Sequence, residues 1–277
     1  MMLNREKQRP AAILSALAAP LTLIAATIGL LAPDFYAPYL ATLELNIGAY
    51  AQDTIAIVVV LIMAPAILAA RRGSLRALLI WSGCLGYLIY GYLLYTFDGL
   101  YTPLYPLYLA VLGLTIYALI SLLAQLDGRA IARTVGPGLP VRAIAAVLAV
   151  PLILLPRWLA FVAEGIAAGQ AVTLNEVLVI DLAFLIPACV LTAVLVWRRR
   201  PWGIIFAGPL LVHIVTLGWS LSLGTLWFYF LGRPVDGLQL VVYLSLALVG
   251  GWVLAAYLRH IGQPVQYSGA GAAQPTD

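Results

Sequence analysis

Eight stretches of this 277-residue chain are apolar almost without interruption, and the polar residues gather in the short segments between them. The runs cover about 11–32, 50–70, 75–96, 104–126, 141–162, 176–197, 202–230 and 238–258. Each is near or above the ~20 residues that carry an α-helix across a ~30 Å hydrocarbon core. The pattern predicts an all-α polytopic transmembrane bundle of about eight helices. Residues 1–10 form a leading cytoplasmic segment, 11–260 a single transmembrane domain and 261–277 a tail. The tail (GQPVQYSGAGAAQPTD) is rich in Gly, Ala, Pro and Gln and is expected to be disordered.

The polar segments carry a second pattern. Arg5, Lys7 and Arg9; Arg71, Arg72 and Arg76; Arg129, Arg133 and Arg142; Arg198, Arg199 and Arg200; and Arg259 all fall on one side of the predicted ladder. Only Arg157 and Arg233 fall on the other. Basic residues in short loops mark the cytoplasmic face, so both termini are expected in the cytoplasm. Removing or adding one helix would destroy the alternation. The acids lean the other way: Asp34, Glu44, Asp53, Asp98, Glu164, Glu176, Asp181 and Asp236 map to the outer half, against Glu6, Asp127 and Asp277 inside. Acids contribute little to orientation, so this bias points to a polar outer vestibule. The connection from Ala32 to Ala49 is the longest outer one and is expected to lie along the interface.

Composition agrees. Hydrophobic residues make up 64% of the chain and charged residues 9%, against about 25% charged in soluble domains. The basic balance sits at helix ends rather than on one soluble face, which argues against nucleic acid. Cys84 and Cys189 lie inside apolar runs and suggest neither a disulfide scaffold nor a metal site. Arg5, Lys7 and Arg9 before an apolar run raise a signal peptide, but the run of about 22 residues exceeds the usual ~7–15-residue core, so it reads as the first span.

Candidate chemistry lies in the few polar residues inside the spans. Asp181, in NEVLVIDLAFL, sits roughly 8 Å inside the sixth helix. An intramembrane carboxylate faces a partner or water rather than lipid. It reads either as a proton- or cation-binding group, or as a structural residue in an interhelical hydrogen bond or a pair with Arg157. Arg157 itself can snorkel or pair with Glu164 or Asp181. Asp53 opens the second predicted helix, where an acid suits the helix dipole, or else it shares a proton or cation with Asp181. His213 lies near mid-membrane in the seventh helix, as a proton relay, a ligand for a headgroup or a packing residue. His260 lies at the inner surface, too far in depth for a bis-His haem site. Tyr87, Tyr90, Tyr92 and Tyr95 spread over about 200° of the third helix, not one stripe. Some belong to the interfacial aromatic belt, and Tyr90 and Tyr95 are expected to line a cavity beside the acids. No catalytic residue, metal site or cofactor is expected: HExxH, GxSxG, Walker A and CxxC are all missing, and the only lysine is Lys7.

Two partner surfaces are also suggested. Arg71, Arg72, Arg198, Arg199 and Arg200 suit anionic lipid headgroups. Ala247, Gly251 and Ala255 repeat at four-residue spacing on the eighth helix, which permits close approach of another helix or of a second copy.

The stretch IDLAFLIPACVLTAVLVWRRRPWGIIFAGPLLV, with RRGSLRALLIWSGCLGYLIYGYLLYTF and LYLAVLGLTIYALISLL, resembles a group of uncharacterised bacterial integral membrane proteins. There an Asp-Leu pair precedes a proline-containing helix, a basic turn with Pro-Trp-Gly and another helix. The resemblance covers about half the chain. It implies a multi-pass bacterial inner-membrane protein and brings no activity. Three roles remain open. The first is translocation or sensing of a small solute or ion through an outward-facing polar cavity, with Asp181, Asp53 and His213 as titratable groups. The second is a non-catalytic subunit or scaffold. The third is a lipid- or quinone-handling membrane enzyme with acid–base residues at the outer leaflet; the missing motifs argue only against metallohydrolase and thiol-redox chemistry.

Overall fold

The computed structural model describes residues 5–262 apart from 33, 41, 133, 137 and 171–173. It is all-α, and among the described residues eight helical segments are long and apolar enough to cross a membrane. The first four spans are single helices: α1 (Arg5–Leu31), α2 (Leu43–Arg71), α3 (Leu75–Phe97) and α4 (Tyr105–Leu123). A one-turn helix, α5 (Gly128–Ala132), lies in the following connection. The fifth span is broken into α6 (Val141–Ala149), a 3₁₀ stretch (Val150–Leu154) and α7 (Leu155–Ala168). The sixth is α8 (Asn175–Ile180), a π segment (Asp181–Leu185) and α9 (Ile186–Trp197). The seventh and eighth are α10 (Pro201–Phe230) and α11 (Gly237–His260).

Several boundaries differ from the hydrophobicity pattern, for physical reasons. Helix α1 starts at Arg5, so part of the leading segment is helical: a helix can run past the hydrocarbon edge as long as its polar turns meet water. Helix α2 starts at Leu43, capped by Thr42, whose side chain accepts from the Leu45 N–H at 3.3 Å. The interfacial connection is therefore shorter than expected, and Tyr36 within it is fully buried rather than lying on the surface. The breaks in the fifth span follow Pro151 and Pro156, which lack the amide hydrogens a continuous α-helix needs. The tail expected to be disordered lies, from residue 263, outside the described residues.

Helix α3 is the centre of the bundle. It packs against α2, α4 and α10, while α1 spans α2 and α4, and α10 also meets α2, α9 and α11. Of the eight spans α3 has the lowest mean hydropathy, 1.6, and the largest buried share, 72%. The two facts have one cause. Lipid is as apolar as any core, so position is decided by which helix carries polar and small residues that must avoid lipid. Helix α3 carries Ser82, Gly83, Gly91 and four tyrosines. Its amino end is joined to α11: Arg76 Nε donates to the Ile261 carbonyl at 2.8 Å. The Gly136 N–H donates to the His260 carbonyl at 2.8 Å, and Arg9 and Arg71 line one groove. These contacts gather the basic segments, and both described ends of the chain, at one end of the bundle.

Small residues set helix spacing where backbones come closest. A Cβ at Gly218 of α10 would lie 2.8 Å from the Ala247 amide nitrogen of α11. Ala247 is thus used inside the chain, whereas Ala255 is exposed and Gly251 has open space beside it. On α3, a Cβ at Gly83 would strike Val212 and lie 3.0 Å from the Pro209 carbonyl, but one at Gly86 would meet nothing. Gly83→Ala is expected to lower stability by about 1–3 kcal/mol through overpacking. Gly86→Ala is expected to be neutral or slightly stabilising through helix propensity. Thermal unfolding of both variants in detergent checks the pair; equal effects would contradict this packing.

Candidate functional site

Two carboxylates are buried inside the bundle: Asp53 is 2% exposed and Asp181 is 4% exposed. Neither has a basic partner among the described residues. Each is held by neutral donors, and α3 supplies one phenol to each, Tyr95 to Asp53 and Tyr90 to Asp181.

Asp53 lies in the third turn of α2, not at its start, so the helix-dipole reading of this residue does not hold: the first-turn acid is Glu44. Tyr36 Oη donates to Asp53 Oδ2 at 2.5 Å, and Tyr95 Oη lies 3.1 Å from Asp53 Oδ1. Tyr95 Oη lies equally close, 3.1 Å, to the Ala49 carbonyl, one turn earlier on α2. Close approach of α1 completes the pocket: a Cβ at Gly29 would strike both Asp53 Oδ2 and the Tyr36 hydroxyl. Tyr36 belongs to the connection between α1 and α2, outside the spans in sequence. Its own burial, and then the neighbouring Asp53, hold its pKa above the ordinary phenol range, so it stays a proton donor.

Asp181 starts the π segment of the sixth span. Its carbonyl accepts from the Ile186 N–H, five residues on. The wider turn, just ahead of Pro187, is the kind of local irregularity that re-aims side chains. Tyr90 Oη donates to Asp181 Oδ1 at 3.0 Å and the Trp158 indole N–H donates to Oδ2 at 3.0 Å. Trp158 is fixed in a small secondary core with Leu178 and Ile186.

The expected mate of Asp181, Arg157, takes no part. It is exposed, and its guanidinium lies over the Phe161 ring at 5.2 Å. One residue along a helix is a rotation of 100°, which turns Trp158 inward and Arg157 outward.

His213 lies between the two sites on α10. Its ring meets Tyr90 edge-on, centroids 5.0 Å apart, and Tyr87 at 6.2 Å. Tyr87 in turn donates to Gln52 Oε1 at 3.0 Å, beside Asp53 in sequence. His213 is 4% exposed, and neither ring nitrogen has a hydrogen-bond partner among the described residues. A Cβ at Gly91 would strike the Gln52 amide, so this residue must be small for Gln52 to reach Tyr87. His260 is separate, at the basic end, with Nδ1 2.8 Å from the Ala256 carbonyl.

The structure therefore brings Asp53 together with Tyr95, and Asp181 and His213 together with Tyr90. The two carboxylates share no partner. Tyr90 and Tyr95, expected as cavity lining, have their hydroxyls committed to the acids. Sequence reasoning passed over Tyr36, Gln52, Trp158, Gly29 and Gly91. Gln52 was signalled by its place beside Asp53 in a polar break. Nothing in the sequence pointed to Tyr36, which comes from a loop.

No family model, no curated protein and no solved structure matches this chain. Function is thus read from the site itself.

Removing the indole donor tests the geometry. Trp158→Phe leaves Asp181 Oδ2 unsatisfied and is expected to cost about 1–3 kcal/mol. Arg157→Gln is expected to cost less than about 1 kcal/mol, the scale of an exposed cation–π contact. Comparative thermal melts decide; an Arg157 variant as destabilised as the Trp158 variant would overturn the assignment.

Proposed function

We propose that this chain is a multi-pass inner-membrane protein that senses or translocates a small solute or ion, with protonation of Asp53 and Asp181 coupled to that task. The basic end lies in the cytoplasm by the positive-inside rule, which puts both acids in the outer half of the bilayer. One observation carries the reading: two carboxylates are buried in the bundle with no cationic partner among the described residues. An intramembrane acid without a counter-ion is costly, and such residues mark ion or proton pathways.

The hydrogen bonding at Asp53 suits a change of protonation. Tyr95 has one hydroxyl proton and two acceptors at equal distance. With Asp53 ionised, that proton goes to the carboxylate. With Asp53 protonated on Oδ1, the acid donates to Tyr95 Oη, and Tyr95 turns its own proton to the Ala49 carbonyl. Both states are satisfied without moving a helix. His213, with both nitrogens unpartnered among the described residues and its ring beside the phenols that serve Gln52 and Asp181, adds a titratable group between the two acids.

A scaffold role is the competing reading, favoured by the fact that every carboxylate oxygen already has a donor. Infrared difference spectra of the purified protein, taken between about pH 5 and about pH 9, separate the two. The expected result is carboxyl bands that change with pH and lose one component each in Asp53→Asn and Asp181→Asn. A second expectation is that wild-type liposomes respond to an imposed pH gradient and the two Asn variants do not. Spectra without a pH-sensitive carboxyl band from either residue would leave the scaffold reading.

A further inference from the structure

A groove of about 540 Å³ opens between α1 and α2, far from the acids. Its walls are Ala12, Ala16 and Ala19 of α1 and Ala64, Ile67 and Leu68 of α2, and Arg9 and Arg71 line it at the basic end. Small residues on α1 hold the groove open, since alanine side chains leave unfilled space between two helices. Its one neutral polar side chain, Ser15, is fully buried, and its Oγ accepts the Trp81 indole N–H at 3.0 Å. The interior therefore offers a ligand apolar contact, and the mouth offers positive charge.

The length of the groove identifies what fits. From Arg9 to Ala19 is ten residues of helix, roughly 15 Å. That is half of the ~30 Å hydrocarbon core, the depth of one leaflet. The two arginines stand where a headgroup would lie when an acyl chain fills the space below.

We infer that the α1–α2 groove is a binding site for one anionic glycerophospholipid, with its phosphate at Arg9 and Arg71 and an acyl chain along the alanine wall. This site is independent of the proposed role of Asp53 and Asp181. A zwitterionic lipid fits the same walls but gains less from the arginines. A soluble phosphate ester gains the charge but not the wall.

The test uses the full-length, delipidated protein in an uncharged detergent, with native mass spectrometry and thermal shift as readouts. The probes are dioleoyl-phosphatidylglycerol, dioleoyl-phosphatidylcholine and glycerol 3-phosphate. One phosphatidylglycerol per chain is expected to be retained, at least about fivefold more tightly than phosphatidylcholine, the effect of one basic residue near an anionic headgroup. Arg9→Gln is expected to reduce that preference about fivefold. Ala16 and Ala64 are both exposed, so Ala16→Phe and Ala64→Phe fill the groove from opposite walls without entering the core. Either variant, if folded as wild type in the absence of lipid, is expected to lose the retained molecule. Equal retention of the two lipids, wild-type retention by the filled-groove variants, or binding of glycerol 3-phosphate as tight as that of phosphatidylglycerol would each overturn the site.

Discussion

A carboxylate cannot be left bare inside a membrane-embedded bundle, and most of this architecture answers that constraint twice. Moving a charge or an unpaired polar group out of water costs several kcal/mol unless donors replace the lost water. Here the replacements are phenols and one indole, not cations. Asp53 takes Tyr36 and Tyr95, and Asp181 takes Tyr90 and Trp158. Neutral donors satisfy the oxygens without cancelling the charge. An Arg partner would lock the acid in its ionised form; phenols leave both protonation states open.

That requirement also explains why α3 is central. A helix has one circumference, and Tyr90 and Tyr95 point roughly 140° apart around it. The spread of its tyrosines, which looks like a failure to form a stripe, lets one helix serve two acids on different neighbours. Tyr87 fills the angle between them and reaches Gln52. Helices α2, α4 and α10 then close in on α3, Gly29 and Gly91 leave room for the Asp53, Tyr36 and Gln52 side chains of the network, and Gly83 lets α10 approach at Val212.

The two ends of the bundle differ in kind. The acid-bearing half is held by aromatic and hydrogen-bonded contacts, such as Tyr50 stacked on Trp227 at 5.6 Å and Tyr105 Oη donating to the Thr96 carbonyl at 3.2 Å. The basic half adds arginine and backbone contacts among loop ends to a buried phenol bond, Tyr257 Oη donating to the Ile204 carbonyl at 2.7 Å. The polar chemistry and the lateral groove thus lie at opposite ends, with the packed middle of α3 between them.

The chain alone determined the class, the number of spans and the sorting of basic and acidic residues, because length, hydropathy and charge are properties of consecutive residues. It also determined which residues were costly enough to need partners: Asp53, Asp181 and His213 stand out in any apolar run. Who those partners are was decided by tertiary structure. Arg157 looked the natural mate of Asp181, and the adjacent Trp158 is the actual one, because 100° of helix rotation reverses inside and outside. Tyr36 joins Asp53 from a loop 17 residues away, and no periodicity encodes that return. The break in the fifth span was foreshadowed by its prolines, but the π turn at Asp181 shows only in the backbone. In lipid nearly every helix face is apolar, so the pattern that tells inside from outside in a soluble protein is missing, and only packing reveals which polar groups meet.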